Sequence, residues 1–319
     1  MNAVDNFKQV VAFGSPAYIP HSIPAHSLKY HGADHEDFDG HGHDSPVGTE
    51  WTDIWGTVWH KDLDGVMAFP KKFPLADLEQ LDSFTLVDPD DAKYSGLITE
   101  LLQKHNPAAD LLCGSHRDTL WERAYMLVGM ENLMEYFFTE PALVKRLLHR
   151  IIDFHLKLAE SYIAAGVNLV SMSDDHGTQH SLILGKHILK EFFIPEYERL
   201  FSFYKERGVL INFHSCGHIE PLLDTFMYLG VDILNPIQAA ANDLDSVRKI
   251  TQGKMALMGG VNSEILMQGD FNVTRELVKT RMKQLGANGG YICTPDQGMP
   301  FPEGTYEVIR ETVEAFGRY

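Results

Sequence analysis

From Leu111 onward the chain alternates short apolar runs with longer stretches whose apolar residues fall three and four positions apart. The runs begin with Leu111-Leu-Cys113-Gly-Ser and continue with Asn168–Ser173, Val209–Phe213, Asp232–Gln238, Met255–Gly260 and Gly290–Cys293. Between and after them, helical spacing is predicted over 119–138, 140–165, 187–207, 219–229, 243–251, 272–286 and 304–317. The 140–165 stretch is the clearest, with Leu143, Leu147, Ile151, Phe154 and Leu158 on one face and Gly166 as its stop. At least six strand–helix alternations predict an α/β fold in which a parallel sheet is covered by helices. Polar residues stand just after several runs (Asp174, His214, Asn235, Cys293), as they would around the mouth of a closed (β/α)8 TIM barrel. No glycine-rich dinucleotide fingerprint follows a first strand, which argues against an open Rossmann sheet.

The chain before Leu111 is patterned differently. Lys8 to Phe13 reads as part of a helix, and Pro16, Pro20 and Pro24 then impose extended or turning backbone. The His-, Asp- and Gly-rich stretch from His31 to Asp44 is expected as a solvated loop or lid, with weak metal binding as the alternative. Trp51, Trp55 and Trp59 lie in an aromatic run that, with Gly65–Phe69, predicts a hairpin whose tryptophans are core. Residues 91–105 are expected to be helical. The resulting division is an N-terminal extension or lid over 1–50 and a barrel over 51–319, that is, a TIM barrel with additional N-terminal elements.

A chain of 319 residues can bury a core of this size without staples. Three cysteines and no basic-then-apolar leader at Met1–Phe7 fit a reducing, cytoplasmic setting. No apolar stretch is long enough to span a membrane. A formal net charge of −17 without a Lys/Arg cluster disfavours nucleic acid as a partner.

The densest chemistry follows the Val209–Phe213 run: His214-Ser-Cys216-Gly-His218. Residues two apart on an extended strand share a face, so His214 and Cys216 can approach one ion, and Cys293 at another strand end is the expected third ligand. Two thiolates and an imidazole suit zinc, and three protein ligands leave a position open, as in catalytic zinc sites. His218 is expected to cap a helix or face solvent, and Cys113 to be core. Asp174 and Asp175 end a strand at the same mouth. A proton donor, a displaceable fourth ligand and a helix cap are all compatible with them. Gln179, Asn235 and Gln238 are candidate substrate or cofactor contacts, or loop-backbone partners.

Taken together, His214-Ser-Cys216-Gly, the distant Cys293, Asp174-Asp175-His-Gly-Thr-Gln179, Trp121-Glu-Arg123, Gly129-Met-Glu-Asn132 and Trp51–Gly56 resemble the uroporphyrinogen decarboxylase superfamily over roughly residues 50–319. Within it they are similar to the zinc-dependent corrinoid methyltransferases, such as methylcobalamin:coenzyme M methyltransferases and the first-step enzymes of O-demethylase systems. The resemblance implies a (β/α)8 barrel and a Zn2+ ion held by His214, Cys216 and Cys293. It implies methyl transfer between a small substrate, an aryl methyl ether or a thiol acceptor, and the cobalt of a methylcobalamin-type corrinoid. The corrinoid would come on a separate corrinoid-binding protein, since no further domain is visible. A porphyrinogen decarboxylase is the rival. It is disfavoured by the lack of the Arg-Gln-Ala-Gly-Arg segment and by few arginines in the first hundred residues to hold an octacarboxylate. A non-catalytic zinc or corrinoid-partner protein and a folate-dependent methyltransferase are further alternatives.

Overall fold

The computed structural model describes residues 1–33 and 37–319, with Asp37 described in its backbone only. Asp34, His35 and Glu36 of the His/Asp-rich stretch lie outside the described residues. All six predicted apolar runs are strands of one parallel sheet: Leu111–His116, Leu169–Ser173, Leu210–His214, Ile233–Ile237, Ala256–Val261 and Tyr291–Pro295, in chain order. A seventh strand, Ala25–Leu28, pairs in parallel with Leu111–Gly114 and forms the other end of the sheet.

The sheet curls, but among the described residues it has seven strands, so the expected eightfold closure is corrected to an incomplete barrel. The first and last strands form no ladder with each other. Their junction is bridged by the irregular chain before Ala25, where the Cys293 amide donates to the Pro20 carbonyl at 2.8 Å. Three prolines in that chain remove donors, which is why a regular eighth strand does not form there.

The first fifty residues, expected as an extension or lid, build part of the barrel itself. Helix Ala3–Val11 is started by Asn2, whose side chain accepts from the Asp5 amide at 2.7 Å. It presents Phe7, Val10 and Val11 to Leu111, Leu169, Ile233, Ala256 and Ile292 at the strand starts, forming an apolar floor. Buried Asn6 is satisfied by Ala17 and Tyr18 backbone groups.

Above this floor the period-2 alternation of the strands sends Ser171, Asn212 and Asn235 inward, then Ser115, Ser173 and His214 near the strand ends. The outward alternates pack under the helices as the main core. Pro141–Ala164 is the longest of these helices, and Phe271–Gly286 and Thr305–Phe316 cover the last strands.

The predicted hairpin is a three-stranded antiparallel sheet of Glu50–Thr52, Val58–His60 and Phe69–Lys72. All three tryptophans in it are buried, as expected. Asp53 accepts from the amides of Trp55 and Thr57 and from Trp59 Nε1, each at 2.9 Å. Arg123, 1% exposed, reaches Asp118 at 3.0 Å and Asp53 at 3.6 Å with its guanidinium 4.6 Å from the Trp55 ring. This buried pairing bolts the small sheet to the barrel. No helix among the described residues is long and apolar enough to cross a membrane.

Candidate metal centre at the barrel mouth

Parallel strands deliver their C-terminal ends to one face, and three side chains meet there. The Leu210–His214 strand ends in His214, the turn after it carries Cys216, and the chain leaving Leu169–Ser173 carries Asp175. Cys216 Sγ lies 3.3 Å from His214 Nε2, and that nitrogen lies 3.6 Å from Asp175 Oδ1. Among the described residues these three form the group whose ligand atoms can share one ion. Zinc bond lengths at a tetrahedral angle place ligand atoms roughly 3.3–3.7 Å apart, so the sulfur–nitrogen and nitrogen–oxygen separations stand near what such an ion requires, and all three atoms lie within 4.8 Å of one another. A thiolate and a carboxylate also balance its charge. The donor set fits.

The surroundings make the case for a cation sharper. Burial and the Asp175 and Glu122 carboxylates push the Cys216 thiol far up, with Gln297 hydrogen-bonded to it as a small counterweight. Burial lowers His214, which the Asp175 carboxylate partly opposes. A divalent ion reverses the penalty on the thiolate, as metals do for bound thiols. The Asp175 carboxylate also accepts from the Cys216 amide at 2.8 Å, tying the two loops together.

Cys293 does not join this group. In its strand Ile292 lies in the floor cluster and Thr294 is the next inward position, so the intervening Cys293 faces the helices within the main core. It is fully buried, and burial pushes its thiol up to about 12. The expectation of a second thiolate is therefore corrected. One strand parity separates a ligand from a core residue, and nothing in the run Tyr-Ile-Cys-Thr-Pro declares which parity faces inward. The side chain that reaches Cys216 from this strand is Gln297, beyond its end.

Asp174 is also resolved. It is fully buried and accepts from the amides of Leu120 at 2.7 Å and Glu122 at 2.8 Å and from the Tyr197 hydroxyl at 2.6 Å. It caps helix Trp121–Val128, whose own N-cap residue, Leu120, offers no side-chain acceptor. Burial raises its carboxyl to about 7 against those hydrogen bonds. Asp175 rather than Asp174 lines the mouth. Gln238 accepts from the Gly217 amide at 2.7 Å and so shapes the Cys216 turn from below. Asn235 lines the cavity, while Gln179 is exposed outside it. His218 is held by the Ala241 carbonyl at 2.7 Å, and Cys113 is core beside the floor helix.

The cavity around the three ligands measures about 450 Å³. Its rim holds Arg117 and Asp118, which follow the Leu111–His116 strand end directly and were not named from the sequence, and Glu122, which was quoted only as part of the Trp121-Glu-Arg123 motif. Burial and the nearby carboxylates, Asp118 first, raise Glu122 well above its usual range. A larger, mainly apolar cavity of about 870 Å³ adjoins the site through Arg117, Asp118 and Glu122, and Met67, Phe69, Met126 and Met299 wall it. Buried Lys61 donates to the carbonyls of His43 and Val66, fixing two segments of that wall.

Residues 64–319 match the protein family described as uroporphyrinogen decarboxylase (URO-D). Among solved structures, a methyltransferase from Methanosarcina mazei superposes with a TM-score of 0.72 at 13% identity, covering 99% of each chain. A B12-independent methionine synthase from Shewanella sp. W3-18-1 reaches only 0.43 at 11% identity, over 68% of this chain and 63% of its own. The first of these likenesses establishes the fold. Comparison with curated protein sequences finds no match.

Proposed function

The chain belongs to the uroporphyrinogen decarboxylase family, and on that premise we propose that it is a metal-dependent methyltransferase. It moves a methyl group between a small substrate, an aryl methyl ether or a thiol, and the cobalt of a corrinoid carried by a partner protein. The observation that carries this reading is the convergence of Asp175, His214 and Cys216 at the open end of the barrel. Zinc bound there would supply a Lewis acid for an ether oxygen or a thiol.

The chain's own residues do the rest. Asp175 accepts from the Cys216 amide and would be one of the three ligands of the ion, so the thiol and carboxylate cannot drift apart independently. Gln238 and Asn242 hold the Gly217 peptide from both sides, at 2.7 and 2.9 Å, which fixes the turn presenting Cys216. Glu122, whose carboxyl is raised by burial first and then by the carboxylates of Asp118, Asp175 and Asp174, is placed at the rim to serve as a proton donor to a leaving oxygen. The adjoining apolar cavity, with its methionine and aromatic walls, suits a flat apolar reactant. Carboxylates outnumber the one arginine on the rim, which disfavours a polycarboxylate porphyrinogen.

The test is to mix the zinc-loaded protein with a cobalt(I) corrinoid and a panel of methoxylated aromatics, methylamines and thiols, following the cobalt spectrum. Methylation or demethylation that depends on Cys216 supports the reading. Decarboxylation of a porphyrinogen without metal would remove it.

A further inference from the structure

The gap between the first and last strands is more than a defect in closure. A separate cavity of about 510 Å³ lies over this seam, under the final helix. Its inner wall is Asn235, Thr294 and Gln297, and its outer wall includes His21, Ser22 and Arg310. Asn235, Gln297 and Gly298 line both this cavity and the metal-capable site. The apolar cavity reaches the same place by another route, through Gly298 and Met299. Gly298 thus borders all three spaces, with Gln297 on the seam side and Met299 on the apolar side.

The two approaches differ in chemistry. The apolar one is walled by methionines and aromatic rings. The seam also has apolar lining (Met258, Tyr306, Ile309) but adds hydroxyl and amide groups (Ser22, Thr294, Asn235, Gln297), and its cation, Arg310, is paired with Glu307 and Glu314. A charged ligand therefore gains little there, whereas a small neutral molecule finds donors and acceptors beside apolar surface.

We propose that the seam is a second entrance and binding site for a small, uncharged, hydrogen-bonding molecule, whose path joins that of the apolar cavity at Gly298. The inference rests on the reading that the site takes a small substrate, yet the geometry of access stands apart from the identity of the reaction.

Cys216 reports on access without any metal or methyl group, because Cys113 and Cys293 are buried while Cys216 is half-buried. Its alkylation in the metal-free protein is to be timed by mass spectrometry with iodoacetamide, a small neutral amide, and with N-phenylmaleimide. Ser22→Trp, at an exposed position, is expected to slow iodoacetamide at least fivefold and leave N-phenylmaleimide within twofold. Val66→Trp in the apolar wall is expected to do the reverse. Gly298→Leu is expected to slow both: a Cβ there meets nothing within 4 Å and needs no unusual φ, so the variant should fold. Rates are compared as variant against wild type at one pH, so the effect of the raised Cys216 thiol cancels; if Ser22→Trp slows neither reagent, or both equally, the second entrance is overturned. Those outcomes leave methyl transfer itself untouched, and an inactive protein showing the expected alkylation pattern would reject only the methyl-transfer reading.

Discussion

Gly177 and Gly217 lie backbone to backbone: a Cβ on Gly217 would stand 2.3 Å from the carbonyl carbon and oxygen of Gly177. Gly217 also has φ +81°, a conformation other residues adopt only with strain. This contact sets the spacing between the loop carrying Asp175 and the turn carrying Cys216. Gly217→Ala is expected to cost about 1–3 kcal/mol from backbone strain alone and to push the loops apart. Zinc affinity by equilibrium dialysis should fall at least tenfold, with the stability loss read by denaturant unfolding.

Ligand replacement separates the three-residue centre from the two-thiolate alternative. Cys216→Ser and Asp175→Asn are expected to lose stoichiometric zinc after dialysis, and Cys293→Ser to keep it. Cys293→Ser should instead lose about 1–3 kcal/mol of stability, because a hydroxyl replaces a thiol in the apolar layer. Loss of zinc from Cys293→Ser with stability intact would restore that residue as a ligand.

Arg123 is the buried cation shared by Asp53 and Asp118. Arg123→Leu leaves both carboxylates without it and is expected to destabilise the fold by about 3–5 kcal/mol. The small sheet that walls the apolar cavity should loosen first, seen as faster hydrogen exchange over 50–72 than in the main sheet.

Three buried histidines, His116, His155 and His176, set the acid limb of stability; burial lowers His176 to about 3. His116 lies between His155, at 2.9 Å, and the Tyr204 hydroxyl, at 2.6 Å. Burial lowers His155 to about 3 and His116 well below its usual value. The unfolded chain takes up protons on all three near pH 6.5, whereas folded His155 takes one only near 3. The stability these histidines contribute is thus full above about pH 6.5 and falls as pH drops from there toward 3, while Asp174, raised to about 7, contributes in the opposite sense over the same range. For His155 the loss at pH 4.5 is on the order of 3 kcal/mol. Unfolding midpoints across pH 4–8 check this, and His155→Phe should flatten the acid limb.

The strand–helix rhythm made the sheet legible, because each apolar run is long enough to be buried and is followed by a helical face. Ala25–Leu28 was hidden, since its sequence, Ala-His-Ser-Leu, carries no apolar run and draws its order from pairing with Leu111–Gly114. At the site, His214 and Cys216 were legible because a strand end and a tight turn keep them close whatever the rest of the fold does. Cys293 misled because a one-residue difference in parity reverses its face. Asp175 was legible as a ligand candidate but inseparable from Asp174 until the capping bonds of Asp174 to Leu120 and Glu122 were visible. Glu122 lay in the Trp121-Glu-Arg123 motif without being singled out, and Gln297 carried only a position after a strand end.

The helix that seals the barrel from below has a consequence for how the molecule is made. Phe7 precedes Ile292, one of the residues it rests on, by 285 residues (292 − 7). Its oily face is covered strand by strand, from Leu111 through Leu169, Ile233 and Ala256, and is complete only when Ile292 has been made. Such distant pairings slow folding and invite association with other chains. Early capture by a chaperone, or completion of the lower layer as the last slow event, follows from that arrangement.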